Sequence, residues 1–293
     1  MTSSSPDGSR DPRIEDPSNL RIIHPAARAL LPSALALGLS ANLVSLIGLM
    51  LGIGAAAAYA RWESPWAAML GLILSVGWLI ADGLDGMVAR ATGTSSAIGR
   101  MLDGLVDHGV FILIYVRIAL GIGTVEGWIL AISAGVAHMV QSSLYEGERA
   151  RFHRRVRGEA LIALPRLSRM PLVMLYDWVS TSFDRLAQPF ERLLARSPDP
   201  RALGRAYGDA AVPPMRAMAW LSANVRVAAV FLACLVGNPR YFWWFEIVVL
   251  TPIAIATMIR HRRVEHGFVH GPAAAFAGDD RLAPAFSSKE HRH

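Results

Sequence analysis

The sequence predicts an all-α integral membrane protein, on three observations. Hydrophobic residues make up 53% of the chain and charged residues only 18%, with a mean hydropathy of +0.35, which is too apolar for an ordinary soluble domain. Apolar stretches near the roughly 20 residues that cross the hydrocarbon lie at about 42–60, 66–85, 104–123, 126–145, 218–237 and 241–259, giving six transmembrane helices. Arginines cluster at alternate ends of these stretches, as the positive bias of cytoplasmic loops requires.

Residues 1–21 are polar, with Pro, Ser, Asp and Arg, and lack the apolar stretch of a signal peptide, so they read as a disordered cytoplasmic arm. Residues 22–40 are mildly amphipathic and broken by Pro25 and Pro32, which suits a short juxtamembrane helix lying on the bilayer surface. Residues 41–145 hold the first four spans, with Asn42 as the cap of the first. Residues 146–217 form a more charged cytoplasmic insert between spans four and five. Within it, 171–195 has helical periodicity, with Leu175, Trp178, Val179, Phe183, Leu186, Phe190 and Leu194 on one side and Asp177, Asp184, Arg185 and Arg192 on the other. Trp and Phe beside Arg suit the headgroup region, so this amphipathic helix is expected to rest on the bilayer. Residues 197–200 (SPDP) and 212–214 (VPP) read as turns. Residues 218–260 hold spans five and six, with Phe242, Trp243 and Trp244 as an interfacial aromatic belt, and 261–293 form a cytoplasmic tail.

The formal charge is +6, but its arginines sit at membrane boundaries, where topology and anionic lipid headgroups account for them; a nucleic-acid partner is not expected. The single cysteine, Cys234, lies inside span five and excludes a disulfide framework within one chain. Arginine replaces lysine almost throughout, Lys289 being the one lysine, as in a GC-rich bacterial genome.

The densest chemistry lies between Asp82 and Asp107, where the pattern DxxDGxxARx8GxxxDxxxD is met by Asp82, Asp85, Gly86, Ala89, Arg90, Gly99, Asp103 and Asp107. At about 100° per residue, Asp82, Asp85, Gly86 and Ala89 share one helix face, with Arg90 at its margin. Gly99, Asp103 and Asp107 form an i, i+4, i+8 stripe on the next helix, and a turn near Gly93 and Thr94 would set the two faces together. Ionised groups at membrane depth are costly unless paired or bound to a cation. Four carboxylates without a His or Cys cluster suit Mg2+ or Mn2+, and two ions are plausible for phosphoryl chemistry. The small residues bare the helix surface for a bulky ligand, and Arg90 offers a planar fork for pyrophosphate oxygens. For the glycines alone, close helix packing is the competing reading.

This pattern resembles the signature of the CDP-alcohol phosphotransferase (phosphatidyltransferase) family. The segment Ala41-Asn42-Leu43-Val44-Ser45 followed by Gly48 is similar to the PNxVTxxG opening of the family's first helix, with Ala41 for the proline and Ser45 for the threonine. The resemblance implies transfer of a phosphate-linked group, phosphatidyl above all, from a CDP-alcohol such as CDP-diacylglycerol to an acceptor hydroxyl, releasing CMP, in phospholipid biosynthesis. It makes Asp82, Asp85, Asp103 and Asp107 ligands of the metal ions, with Asp107 also the base. It makes Asn42, Ser45, Gly86, Ala89, Arg90, Ser96 and Gly99 nucleotide contacts. Gln141, Arg149 and Arg226, together with Glu146 and Asn224, lie near the cytoplasmic ends of their spans as candidates for acceptor recognition, and Arg117, ten residues beyond Asp107 and about 80° off its face, could line the acceptor pocket or snorkel along a neighbouring helix. His108 reads as packing. Partners expected are the CDP-alcohol, the acceptor and membrane lipids, with room for a homodimer.

The reading from a different class is a membrane cation transporter using these aspartates. Its carboxylates would be spread over several helices near mid-membrane, whereas these cluster beside an arginine that would repel a cation.

The N-terminal arm, the turn around Arg90 and Arg100, the segment Arg149 to Arg216 and the tail from Arg260 fall on one face of the six-span arrangement, and Arg61 and Arg240 on the other. The aspartates then face the cytoplasm, in a bacterial inner membrane. Single cysteines placed near Arg154 in a Cys234→Ala background should resist an impermeant thiol reagent in intact cells, while those near Trp62 and Asn238 should be labelled; labelling near Arg154 would overturn this orientation.

Overall fold

The computed structural model of the chain describes residues 11–94, 97–162 and 171–271, apart from the side chains of 97–107 and 171–180. Among the described residues every regular element is helical: α1 (His24–Ala36), α2 (Ala41–Tyr59), α3 (Pro65–Ala91), α4 (Ala97–Ile122), α5 (Val125–Val156), α6 (Pro171–Arg196), α7 (Pro200–Met218), α8 (Ala223–Leu235), α9 (Arg240–Trp244) and α10 (Thr251–His270). A π-helical turn, Asn19–Ile23, leads into α1, and a second, Phe245–Leu250, joins α9 to α10. Among the described residues, four helical runs are long and apolar enough to cross a membrane: Ala41–Tyr59, Pro65–Ala91, Pro200–Leu235 and Arg240–His270. His108–Ile122 is a shorter apolar helix. The stretch 126–145 is helical within α5 but is not among the four, because His138 and Gln141 dilute it, and both side chains are buried.

The chain divides into two compact units, Met1–Tyr145 with Arg216–Ile255, and Glu146–Met215 with Ala256–His293. In the first, Tyr59, Trp78, Val110, Phe111, Ile114, Ile118, Val227, Val230, Phe242 and Trp243 form a buried core, with the Trp78 and Phe111 rings edge to face at 5.4 Å. Large apolar side chains also point outward, among them Met50, Ile73, Ile112, Ile129, Ile132 and Leu232. An exterior this apolar suits lipid contact rather than water.

Small residues bring these helices together. A Cβ at Gly48 of α2 would meet Ala81 Cβ of α3 at 3.2 Å, one at Gly52 would collide with Val110, and one at Gly71 would lie 2.5 Å from the Tyr59 ring. Such close backbone approach is how helices associate where lipid removes the hydrophobic drive.

Several local expectations need correction. The cap of α2 is Ser40, whose backbone is extended and whose Oγ accepts the Leu43 N–H, while Asn42 is already helical and exposed. Pro32 lies inside α1, and Pro213 and Pro214 inside α7, without ending either helix. Residues 11–19 are not a loose arm. Ile14, Glu15 and Asp16 are buried, Ser222 Oγ donates to Asp16 at 2.6 Å, and Asn224 Nδ2 donates to Ser18 and Asn19 at 2.6 and 2.7 Å. Phe242 and Trp243 belong to the core, and Tyr241 and Trp244, one turn apart on the other side of α9, face outward.

In the second unit, the Phe190 and Tyr207 rings lie 4.7 Å apart and Phe190 also meets Phe268, so this part of α6 is covered by protein rather than by a bilayer. Ala187, Phe190 and Leu194 are buried, Phe183 is half-buried and Leu186 is exposed; the side chains of Leu175, Trp178 and Val179 lie outside the described residues.

Gly71→Val should therefore lower stability by about 1–3 kcal/mol through overpacking against Tyr59. Gly135→Ala, where an added Cβ meets open space, should be neutral or stabilising by up to about 1 kcal/mol. Thermal unfolding of both variants in one detergent would check the contrast.

Candidate active site

The aspartate pair on α3 sits where that helix leaves its apolar stretch. Helix α3 is capped by Ser64 at its start and closes with a reversal at Gly93, whose φ of +66° suits glycine, while the Thr94 N–H reaches back to the Ala89 carbonyl at 3.0 Å. Thr92 Oγ1 donates to the Val88 carbonyl at 2.8 Å and finishes the end. Asp85 is buried among Leu84, Met87 and Val88, and Asp82, one turn earlier, is half-buried. Gly86 and Ala89 are half-buried and Arg90 is exposed. A Cβ at Gly86 would lie 3.3 Å from Arg90 Nη1, so the guanidinium folds back over the bare turn.

Helix α2 contributes a hydroxyl. Ser45 Oγ donates to Asp85 Oδ2 at 2.5 Å, across 40 residues of sequence. Gly99, Asp103 and Asp107 lie on α4, with their side chains outside the described residues, as is Ser96 altogether. From α4, His108 packs edge-on to His138 of α5 at 6.4 Å, and Phe111, one turn beyond Asp107, lies 4.6 Å from the same ring.

The donor set on α3 fits a hard divalent cation. It comprises carboxylates one turn apart, one of them buried and held by a hydroxyl, with no thiolate beside them. A further group, Glu148, His261 and Glu265 in the second unit, brings three ligand atoms within 4.8 Å of one another and could hold an ion by spacing alone. Its charges are already answered. Arg151 and Arg262 bind Glu148, Arg262 and Arg155 bind Glu265, and His261 Nδ1 lies 2.9 Å from Glu148. Burial opposes ionisation of Glu148, but His261, Arg262 and Arg151 outweigh it and hold the carboxyl well below the usual carboxylate range. An entering metal ion would face three guanidiniums, so this cluster is a salt-bridged core.

A family model, CDP-alcohol phosphatidyltransferase, matches residues 38–179 and so encloses the whole aspartate pattern and the Ser45 segment. Over these residues the chain is similar to the CDP-alcohol phosphatidyltransferase family. No curated protein and no solved structure matches the chain. The family transfers a phosphatidyl group from a CDP-alcohol to a hydroxyl acceptor and is generally dependent on divalent metal.

The residues suggested for acceptor recognition are dispersed in their surroundings. Arg117 is exposed on α4, Arg149 is buried with Glu146 at 3.1 Å, and Asn224 holds the N-terminal segment. Arg226 and Gln141 do come together, but on each other: Arg226 Nη2 donates to Gln141 Oε1 at 2.8 Å. Arg226 also donates to the Leu221 carbonyl and, through Nε, to Glu246 at 3.0 Å. Glu246 further accepts from Tyr115 at 3.0 Å and lies 3.3 Å from His138 Nδ1. Gln141 Nε2 donates to the Glu246 carbonyl and to Thr251 Oγ1, both at 3.0 Å.

Sequence reasoning missed Glu246, His138 and Tyr115, although a glutamate inside span six and an arginine near the start of span five were a signal: charges at such depth pair with one another. Arg226→Met should cost about 3–5 kcal/mol by leaving Glu246 buried without its partner, whereas Arg226→Met with Glu246→Leu should recover most of the loss. Denaturation of the two variants in matched micelles distinguishes these outcomes.

Proposed function

We propose that the protein is an integral membrane enzyme that transfers a phosphatidyl group from CDP-diacylglycerol, or a closely related CDP-alcohol, to an acceptor hydroxyl and releases CMP, in phospholipid synthesis. The single observation carrying this reading is the uninterrupted DxxDGxxARx8GxxxDxxxD pattern inside the family match, with Asp85 buried on α3 and tied to α2.

In this mechanism Asp82, Asp85, Asp103 and Asp107 hold two Mg2+ or Mn2+ ions, which when bound neutralise the pyrophosphate and stabilise CMP as leaving group. Arg90, lying over Gly86, meets pyrophosphate oxygens with its planar fork. Gly86, Ala89, Ser96, Gly99 and Asn42 line the nucleotide. Asp107 orients the acceptor hydroxyl for in-line attack and takes its proton. Arg226 and Gln141 are committed to Glu246, and Arg149 is buried against Glu146, so Arg117 is the basic candidate left for acceptor contacts.

The reading keeps six spans in a bacterial inner membrane, with the aspartates facing the cytoplasm. It is supported by the exposed apolar side chains of α4 and α5, Ile112, Leu120, Ile129, Ile132 and Val136, which make these helices suited to lipid as well. Arg90 closes the same α3 pattern as Asp82 and Asp85, which favours an anionic nucleotide over a transported cation.

Purified protein in vesicles with CDP-diacylglycerol, Mg2+ and a panel of acceptors should release CMP and form a product of the corresponding mass. EDTA should abolish turnover, and Mg2+ or Mn2+ should restore it. Asp107→Asn should lower kcat at least about a hundredfold while CDP-alcohol binding stays measurable. Arg90→Lys should instead raise the dissociation constant for the nucleotide. Full activity without divalent metal, or wild-type turnover in Asp107→Asn, would refute the mechanism.

A further inference from the structure

Ser45 was expected to touch the nucleotide, and its geometry gives it different work. Its hydroxyl carries one proton and has two acceptors within reach, the Ala41 carbonyl one turn back at 3.1 Å and Asp85 Oδ2 at 2.5 Å. The carboxylate is the closer and the charged acceptor, so the proton belongs there. Asp85 is only 6% exposed, and Leu84, Met87 and Val88 beside it in sequence are buried as well. The contact exists because α2 and α3 approach closely at Gly48 and Ala81, one turn beyond Ser45.

We propose that Ser45 is a positioning residue for the metal ligand Asp85 and not a contact of the nucleotide; the proposal rests on the metal-dependent reading above. A hydrogen bond to Oδ2 stops rotation of the carboxylate about Cβ–Cγ and thereby fixes the direction of its other oxygen. Hydrogen-bonded partners of ligating carboxylates orient them in this way, and losing one costs about 10–100-fold in metal affinity or activity. The effect should fall on metal affinity and leave nucleotide recognition to Asn42, Gly86 and Arg90. Threonine keeps the hydroxyl, and valine keeps threonine's shape without it.

The test is Mn2+ binding to the purified full-length protein in micelles, followed by the EPR signal of free Mn2+, without any CDP-alcohol. Ser45→Ala and Ser45→Val should bind Mn2+ about 10–100-fold more weakly than wild type, and Ser45→Thr within about threefold of it. At saturating Mn2+ the KM for CDP-diacylglycerol should be unchanged in all three. Ser45→Ala places a strong helix former in α2, and Ser45→Val gives the same comparison if the alanine variant does not fold. Mn2+ affinity equal to wild type in the folded hydroxyl-less variants would overturn the proposal, and a raised KM with unchanged Mn2+ affinity would return Ser45 to the nucleotide. If wild type binds no Mn2+ that Asp85→Asn removes, the metal reading itself fails, an outcome distinct from a wild-type protein that binds Mn2+ with or without the Ser45 hydroxyl.

Discussion

The close approach of α2 and α3 is the constraint on which the candidate site depends. In a bilayer, lipid tails are as apolar as leucine, so helices associate through van der Waals fit and polar contacts rather than through escape from water. Gly48 against Ala81 and Gly71 against Tyr59 provide that fit. The result reaches the chemistry directly, because a serine side chain is short and can span only a narrow gap between backbones. Were these helices separated by larger side chains, Asp85 would be a buried carboxylate without its hydroxyl partner from α2.

The same cost of unmatched charge shapes the rest of the molecule. Arg226 and Glu246 are both fully buried, and each is bound by further polar groups, so neither faces hydrocarbon alone. In the second unit Arg155, also fully buried, reaches Glu191 at 2.8 Å and Glu265 at 2.5 Å and lies over the Phe190 and Tyr207 rings. Buried pairs of this kind are weak evidence for net stability, but losing one member is costly, and they therefore constrain which helices can meet.

Much of this was legible in the sequence, for identifiable reasons. The spans at 42–60 and 66–85 emerge in α2 and α3 because uninterrupted apolar runs of that length have few other fates. The aspartate pattern was visible because its spacing is local and dense. Ser40 and Asn42 are both good helix caps, and choosing between them takes the backbone conformation, which at Ser40 is extended. Phe242 and Trp243 read as interfacial because aromatic residues suit both core and headgroup, and the phase of a five-residue helix is not visible in its residues. The partners of Glu246 lie up to 131 residues away, and no local periodicity reports such a pairing. Residues 11–19 read as loose because composition carries no information about Ser222 and Asn224, more than 200 residues on.

The wide turn at Phe245–Leu250 has a consequence for chain length. A π-turn holds one residue more than the α-helical turn it interrupts, and here the Glu246 carbonyl is taken by Gln141 and by Thr251 Oγ1 at 3.3 Å. Removing one residue from it would restore ordinary winding and swing α9 by about 100° relative to α10. Glu246 could then face Arg226, or Leu250 and Ala254 could face the interior, but not both. This stretch thus tolerates exchanges of side chain far better than a deletion, and its length is as much a part of the fold as its residues.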